Sequence, residues 1–177
     1  MMAGVKPCIM IAVCLFTLTQ ISATSASHTL DAEQKSVIAA WLGGNSGYRL
    51  AEDRDCLCDE GIQKMRLRGE GLFKATPDYH PYWVTGDFNG DGVTDLAVVV
   101  VNERAEHDFT LLVFNGPLDP KRPVPAFVGA HSDLAGVGLF YWGSPPSRPY
   151  RLWIGRFGGD GLSLEPHGKK YRFEFEN

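Results

Sequence analysis

Asp87, Asn89, Asp91 and Asp95 fall at positions 1, 3, 5 and 9 of a loop inside the stretch G-D-F-N-G-D-G-V-T-D-L-A-V-V-V-V, residues 86–101. Oxygen-bearing side chains in this alternation aim at one point. Gly92 at position 6 permits a sharp turn, and the Val93 carbonyl at position 7 adds a backbone oxygen. Three carboxylates so close repel one another unless a cation lies between them. Calcium, a hard cation that takes roughly six to eight oxygens in flexible geometry, fits this set, with Asp87, Asn89, Asp91, Val93 and Asp95 as its ligands. A metal-free turn rich in Asp, Asn and Gly is the alternative, since tight turns favour the same residues.

Other residues offer less chemistry. His28, His80, His107, His131 and His167 show neither H-x-x-x-H nor H-x-H spacing, so nothing in their order supports zinc. His131-Ser132-Asp133 contains the residue types of a hydrolytic triad, but sequence neighbours rarely reach the mutual geometry a triad needs. There is no G-x-S-x-G elbow. Gly86, Gly90 and Gly92 do not form a phosphate loop, because no Lys-Ser/Thr follows. Glu70, Asp78, Glu103, Glu106 and Asp108 lie on expected loops, and glycoside hydrolysis requires only two carboxyls at the right separation. Solvated surface acids are the simpler reading of these five. No catalytic residue is assigned.

The elements flanking the loop decide its type. An EF-hand needs a helix on each side and a Glu at position 12. Position 12 here is Val98, within Leu96 to Val101, a β-branched run that reads as a buried strand. Tyr82-Trp83-Val84-Thr85 upstream also reads as a strand, so the metal would pin a strand–loop–strand clip. In this the chain resembles the FG-GAP or VCBS-type repeats, whose D-x-[DN]-x-D-G-x-x-D loops lie between propeller strands. The resemblance covers about residues 82–101 and implies calcium at Asp87, Asn89, Asp91, the Val93 carbonyl and Asp95. Those families carry several copies, and one copy cannot make a propeller.

Before the domain comes a leader. Lys6 precedes the apolar run 9–16, and the small polar stretch 22–26 follows, which together read as a secretory signal peptide over residues 1–26. The apolar run is far shorter than the roughly 20 residues of a membrane span. Val13 before Cys14 is too large for a lipobox. Residues 27–177 then form a single domain, exported to the periplasm or the medium. The formal charge is −4, from 17 basic and 21 acidic residues, with no basic cluster. That balance argues against nucleic acid or an anionic membrane as partner. Cys8 and Cys14 leave with the signal, and Cys56 and Cys58 form C-x-C. A disulfide between them, free buried thiols, and metal or redox chemistry all remain open.

Residues 29–42 predict a helix, with Asp31 capping its first turn and Val37, Ile38, Trp41 and Leu42 on one face. Gly43-Gly44 is expected to end it. A strand starts at Tyr48. A short second helix follows Cys58, with Ile62, Met65 and Leu67 as its apolar positions. The aromatic cluster Tyr79-His80-Pro81-Tyr82-Trp83 reads as core around a strand start, with a stacking surface for a sugar or partner as the alternative. Residues 102–108 are a turn leading into strand 109–114, and 116–125 a surface excursion. Further strands are expected at 137–142, 151–157 and 171–176, with the glycine-rich 156–161 a turn between strands. The order predicts an α+β fold: N-terminal helices packed on a mainly antiparallel β-sheet of six or so strands, carrying the calcium clip. The function expected is a calcium-binding, non-catalytic domain that binds a protein partner, ahead of a glycan, outside the cytoplasm. The alternative is an exported hydrolase using loop carboxylates or His80, with calcium structural.

Overall fold

The computed structural model describes residues 28–71, 73–105, 107–129, 132–142 and 151–175. The leader at 1–26, with Cys8 and Cys14, lies outside these residues. So do Glu106, His131 and residues 143–150.

Helix α1 spans Ala32–Gly44. Asp31 is its N-cap, in extended backbone, and a capping box joins it to Gln34 through two 2.8 Å hydrogen bonds, one in each direction. An extended N-cap cannot itself be helical, so the helix begins three residues later than its periodicity suggests. It also runs through Gly43 and Gly44. Asn45 ends it, sending its backbone N–H to the Leu42 carbonyl and its side-chain amide to the Trp41 carbonyl. Val37 and Ile38 are buried and lie against Leu96, Val98, Val100, Leu112 and Phe114.

Those partners belong to the first sheet. Its long strand, β3 (Asp95–Asn102), carries two short strands end to end on one edge. There β1 (Tyr48–Leu50) lies opposite Val100 to Asn102, and β2 (Trp83–Gly86) opposite Asp95 to Val98. The Ala51 amide donates to the Val99 carbonyl and the Val99 amide to the Tyr82 carbonyl, closing the gap between them. On the other edge come β4 (Phe109–Phe114) and then β5 (Phe127–Val128). Every pairing is antiparallel. Leu96, Val98 and Val100 face α1, while Ala97, Val99 and Val101 face a second layer. A strand buried on both faces must be apolar throughout, and this explains its unbroken Val run.

The second layer is a separate four-stranded meander of β6 (Val137–Trp142), β7 (Arg151–Arg156), β8 (Gly161–His167) and β9 (Lys170–Phe175). Leu139, Tyr141, Leu152, Ile154, Leu164 and Tyr171 share one core with Val84, Ala97, Val99, Phe109, Leu111 and Val113 of the first sheet. The fold is thus α+β in the broad sense expected, but with two sheets rather than one. It has nine strands among the described residues, and one of them, β1, lies between the helices. Two strands, β5 and β8, are unexpected from the sequence. In β8, Leu162 and Leu164 alternate with Ser163 and Glu165, but Pro166 argues against a strand. It is tolerated because it lies opposite Tyr171 where its missing N–H is not needed.

Helix α2 (Asp59–Leu67) follows a 3₁₀ turn at Asp53–Asp55 and buries Ile62 and Met65. Leu67 points outward and is exposed, so it is not part of the apolar face expected for it. Gly61 is where α2 meets the β7–β8 turn, since a Cβ there would lie 2.5 Å from the Phe157 ring. Phe157, Phe140, Phe73 and Tyr79 stack or meet edge-on at 4.7–6.0 Å between centroids. Tyr79 and Tyr82 are both 1% exposed and belong to the core, while His80 and Trp83 between and beside them are partly buried.

Candidate functional site

The loop between β2 and β3 is built from carboxylates that accept backbone amides. Asp87 Oδ1 accepts the amides of Gly90 (2.6 Å) and Asp91 (3.1 Å), and Oδ2 accepts that of Gly92 (2.8 Å). Asn89 Oδ1 takes the Asp91 amide, Asp91 Oδ1 takes the Val93 amide, and Asn89 donates to Asp91 Oδ2 at 2.9 Å. Gly90 and Gly92 adopt left-handed backbone, at φ of 77° and 84°, which a side chain would resist. Asp87, Asn89, Asp91 and Val93 are therefore gathered in one tight turn.

Asp95, like Asp87, is buried, but its side chain is held by partners outside the turn as well as within it. Its Oδ2 accepts the Phe88 amide and its Oδ1 the Gly116 amide, both at 2.8 Å. Tyr171 of β9 lies 3.4 Å from Oδ2 and donates to Asn115 Oδ1 at 2.7 Å. Burial pushes the Asp95 carboxyl up to about 6. The amides of Gly116 and Phe88 oppose this, and the charges of Asp91 and Asp87 add to it. Burial also raises the Tyr171 phenol, with Asp95 adding to the shift.

By type, the donors suit a hard cation: all are oxygens, and three are carboxylates. In the conformation described, side-chain oxygens of Asp87, Asn89, Asp91 and Asp95 accept backbone amides, and Asp91 Oδ2 accepts the Asn89 side-chain amide. No group of three or more His, Cys, Asp or Glu side chains among the described residues converges as a metal cage. Asp87 Oδ2 and Asp91 Oδ1 each accept one amide and keep a second lone pair for ligation, whereas Asp87 Oδ1 already accepts two.

A second constellation was not legible in the sequence. Asp53 Oδ1 lies 2.8 Å from His80 Nδ1, and Asp53 Oδ2 accepts from Arg66 at 2.6 Å. Arg66 also donates to the Tyr79 carbonyl. The His80 ring stacks on Trp83 with centroids 4.1 Å apart and remains about 32% exposed. Behind it, His28 is buried with Nδ1 3.0 Å from the His80 carbonyl, and Trp83 donates to the His28 carbonyl. Burial pushes His28 down to about 4, against backbone hydrogen bonds that favour its charged form. Asp53 and His80 are 27 residues apart, and no local signal joins them.

The remaining candidates are scattered. Glu70 pairs with Lys64, and Asp78 accepts from Thr29 at 2.8 Å. Asp108 accepts from Asn102 at 3.2 Å. His107 lies 3.7 Å from Asp133. Cys56 and Cys58 are disulfide-bonded. Between them, Leu57 holds a left-handed backbone (φ 54°) and is 75% exposed. It stands at an open cleft of about 560 Å³, also lined by Arg49, Arg54, Asp55, Glu103 and His107. Arg49 grips Asp55 through two hydrogen bonds, of 2.6 and 2.7 Å, and this holds the Asp55 carboxyl below its usual range.

In comparisons with known proteins, no family model, curated protein or solved structure matches this chain significantly.

Proposed function

We propose that this chain is an exported, calcium-binding domain that binds a protein partner, ahead of a glycan, outside the cytoplasm, and is not itself a catalyst. The observation that carries the reading is the 87–95 turn. It collects oxygen donors between two core strands and anchors its last carboxylate in the sandwich. Asp87, Asn89, Asp91, the Val93 carbonyl and Asp95 would hold the ion, which would neutralise carboxylates that otherwise repel. Calcium here acts as a clip on the fold. Leu57, on left-handed backbone beside the open cleft, marks where a partner is to be sought.

The test is thermal unfolding of the processed protein with calcium and with chelator, repeated for Asp91→Ala. Asp91 is exposed, so its loss costs the metal-free fold little. At calcium a hundredfold above Kd, the stabilisation expected is about 2.7 kcal/mol. A rise in midpoint for the wild type and none for the variant supports the reading. An unchanged wild-type midpoint refutes it.

One observation favours the second reading, an exported hydrolase. His80, oriented by Asp53 and partly open to solvent, has the form of a base with its positioning carboxylate. Glu70 and Asp78 favour it less, since both are engaged with neighbours. A turnover on ester or glycoside substrates that His80→Asn abolishes, with the fold intact, would reverse the order of the two readings.

A further inference from the structure

Strand β9 is the outer strand of the second sheet, and among the described residues only β8 pairs with it. The hairpin joining them fixes which of its backbone groups are free. Gly168, at φ 66°, opens a two-residue turn, so His167 and Lys170 form the closing hydrogen-bonded pair. Alternation then makes Arg172 and Glu174 bond to β8 and leaves the N–H and C=O of Tyr171 and Phe173 directed outward. Pro166 opposite Tyr171 agrees with this phase, because it has no N–H to offer. Among the described residues the edge is thus an open ladder whose free positions are known.

The side chains along this ladder are self-complementary about Phe173. Arg172 stands one residue before it and Glu174 one residue after. In sequence the pattern extends outward, with Lys170 three residues before Phe173 and Glu176 three after. Consider two copies laid antiparallel with Phe173 opposite Phe173. The outward groups of the two Phe173 residues meet as a hydrogen-bonded pair. Arg172 of each copy then falls opposite Glu174 of the other, at the non-hydrogen-bonded positions where side chains come closest. A register slipped by two residues loses this pairing. Within one copy Arg172 and Glu174 already pair at 2.6 Å, so they have only to exchange partners.

The same side of the molecule also exposes apolar surface. Phe173 is 39% exposed and meets Phe127 of β5 edge-on, with centroids 5.4 Å apart. The open edge strands of both sheets therefore come together at this aromatic pair. A long, exposed strand edge with an aromatic on it is one that proteins ordinarily cover.

We infer that β9 pairs antiparallel with β9 of a second copy of this chain, about a two-fold axis at Phe173, joining two four-stranded sheets into one continuous sheet. The contact is isologous, so it closes as a dimer and does not propagate. It is independent of calcium and of the function proposed above.

The test is sedimentation velocity of the processed protein in chelator across a wide concentration range. It is run on wild type, Arg172→Glu, Glu174→Arg and the swapped double variant R172E/E174R. Each single reversal puts like charges opposite one another twice, so its dimer is expected to be roughly tenfold weaker. The swap restores opposite charges at both positions and is expected to recover the wild-type constant. Both side chains are substantially exposed, so thermal midpoints are expected to stay near wild type. A protein that is monomeric throughout overturns the inference. So does a dimer that the single reversals leave unchanged, or a loss that the swap fails to restore.

Discussion

Asp95 Oδ1 accepts the backbone amide of Gly116 at 2.8 Å, tying the first residue of β3 to the segment that leaves β4. The other oxygen holds the Phe88 amide at the same distance. One buried carboxylate thus fixes the 87–95 loop to the sandwich. Asp95→Ala leaves two amides without an acceptor, at roughly 1–3 kcal/mol each for buried donors. The expected loss is about 2–6 kcal/mol in urea unfolding with chelator present. Asp95→Asn keeps one acceptor oxygen and should lose less. An alanine variant as stable as wild type in chelator would show that the carboxylate serves only an ion.

Gly116 itself is the other half of that relationship. A Cβ there would stand 2.5 Å from the Thr94 carbonyl oxygen and 2.4 Å from Val93 Cγ1. The valine methyl can move, but the backbone oxygen cannot without displacing the loop. Gly116→Ala should therefore cost about 1–3 kcal/mol, as overpacking does. It should also blunt any thermal response to calcium. Loss of stability with an unaltered calcium response would place the strain outside the loop.

His28 predicts a pH dependence of definite sign. Its folded value, about 4, lies below the unfolded 6.5 because burial disfavours the charged ring. Between those values the unfolded chain binds more protons than the folded one, so stability is lost as pH falls from about 6.5 to about 4. The full shift corresponds to about 3 kcal/mol, since each unit is worth 1.36 kcal/mol. Comparing urea midpoints at pH 7.5 and 4.5 for wild type and His28→Gln isolates this contribution. The variant should show a shallower fall, and equal slopes would reject the assignment.

Asp53 joins His80 and Arg66 through its two oxygens, so the three act as one unit. Asp53→Asn and Arg66→Met should each destabilise by about 1–2 kcal/mol, with a coupling of about 0.5–1.5 kcal/mol in the double-mutant cycle. These groups are only partly buried, so the coupling should shrink in high salt. Strict additivity would mean that the contact contributes nothing to stability.

The sequence by itself determined what depends on near neighbours. The Asp31 cap, the α1 stripe of Val37 and Ile38, the 102–108 turn into β4, and the turn at Asp87 to Asp95 each rest on residues a few positions apart. Local hydrogen bonding and side-chain periodicity are enough to specify them. Only the tertiary structure decided how distant segments meet. Strand periodicity says which residues share a face, but not which sheet that face belongs to. Hence the division into two sheets, and the placement of β1 and β2 along one edge of β3, were not readable. Nor was the anchoring of Asp95, which needs Gly116, 21 residues away, and Tyr171, 76 away. Its oxygens look identical to those of Asp87 in the sequence. Both are buried, but Asp87 binds amides within its own turn while Asp95 also meets partners far along the chain, and no pattern of neighbours encodes that.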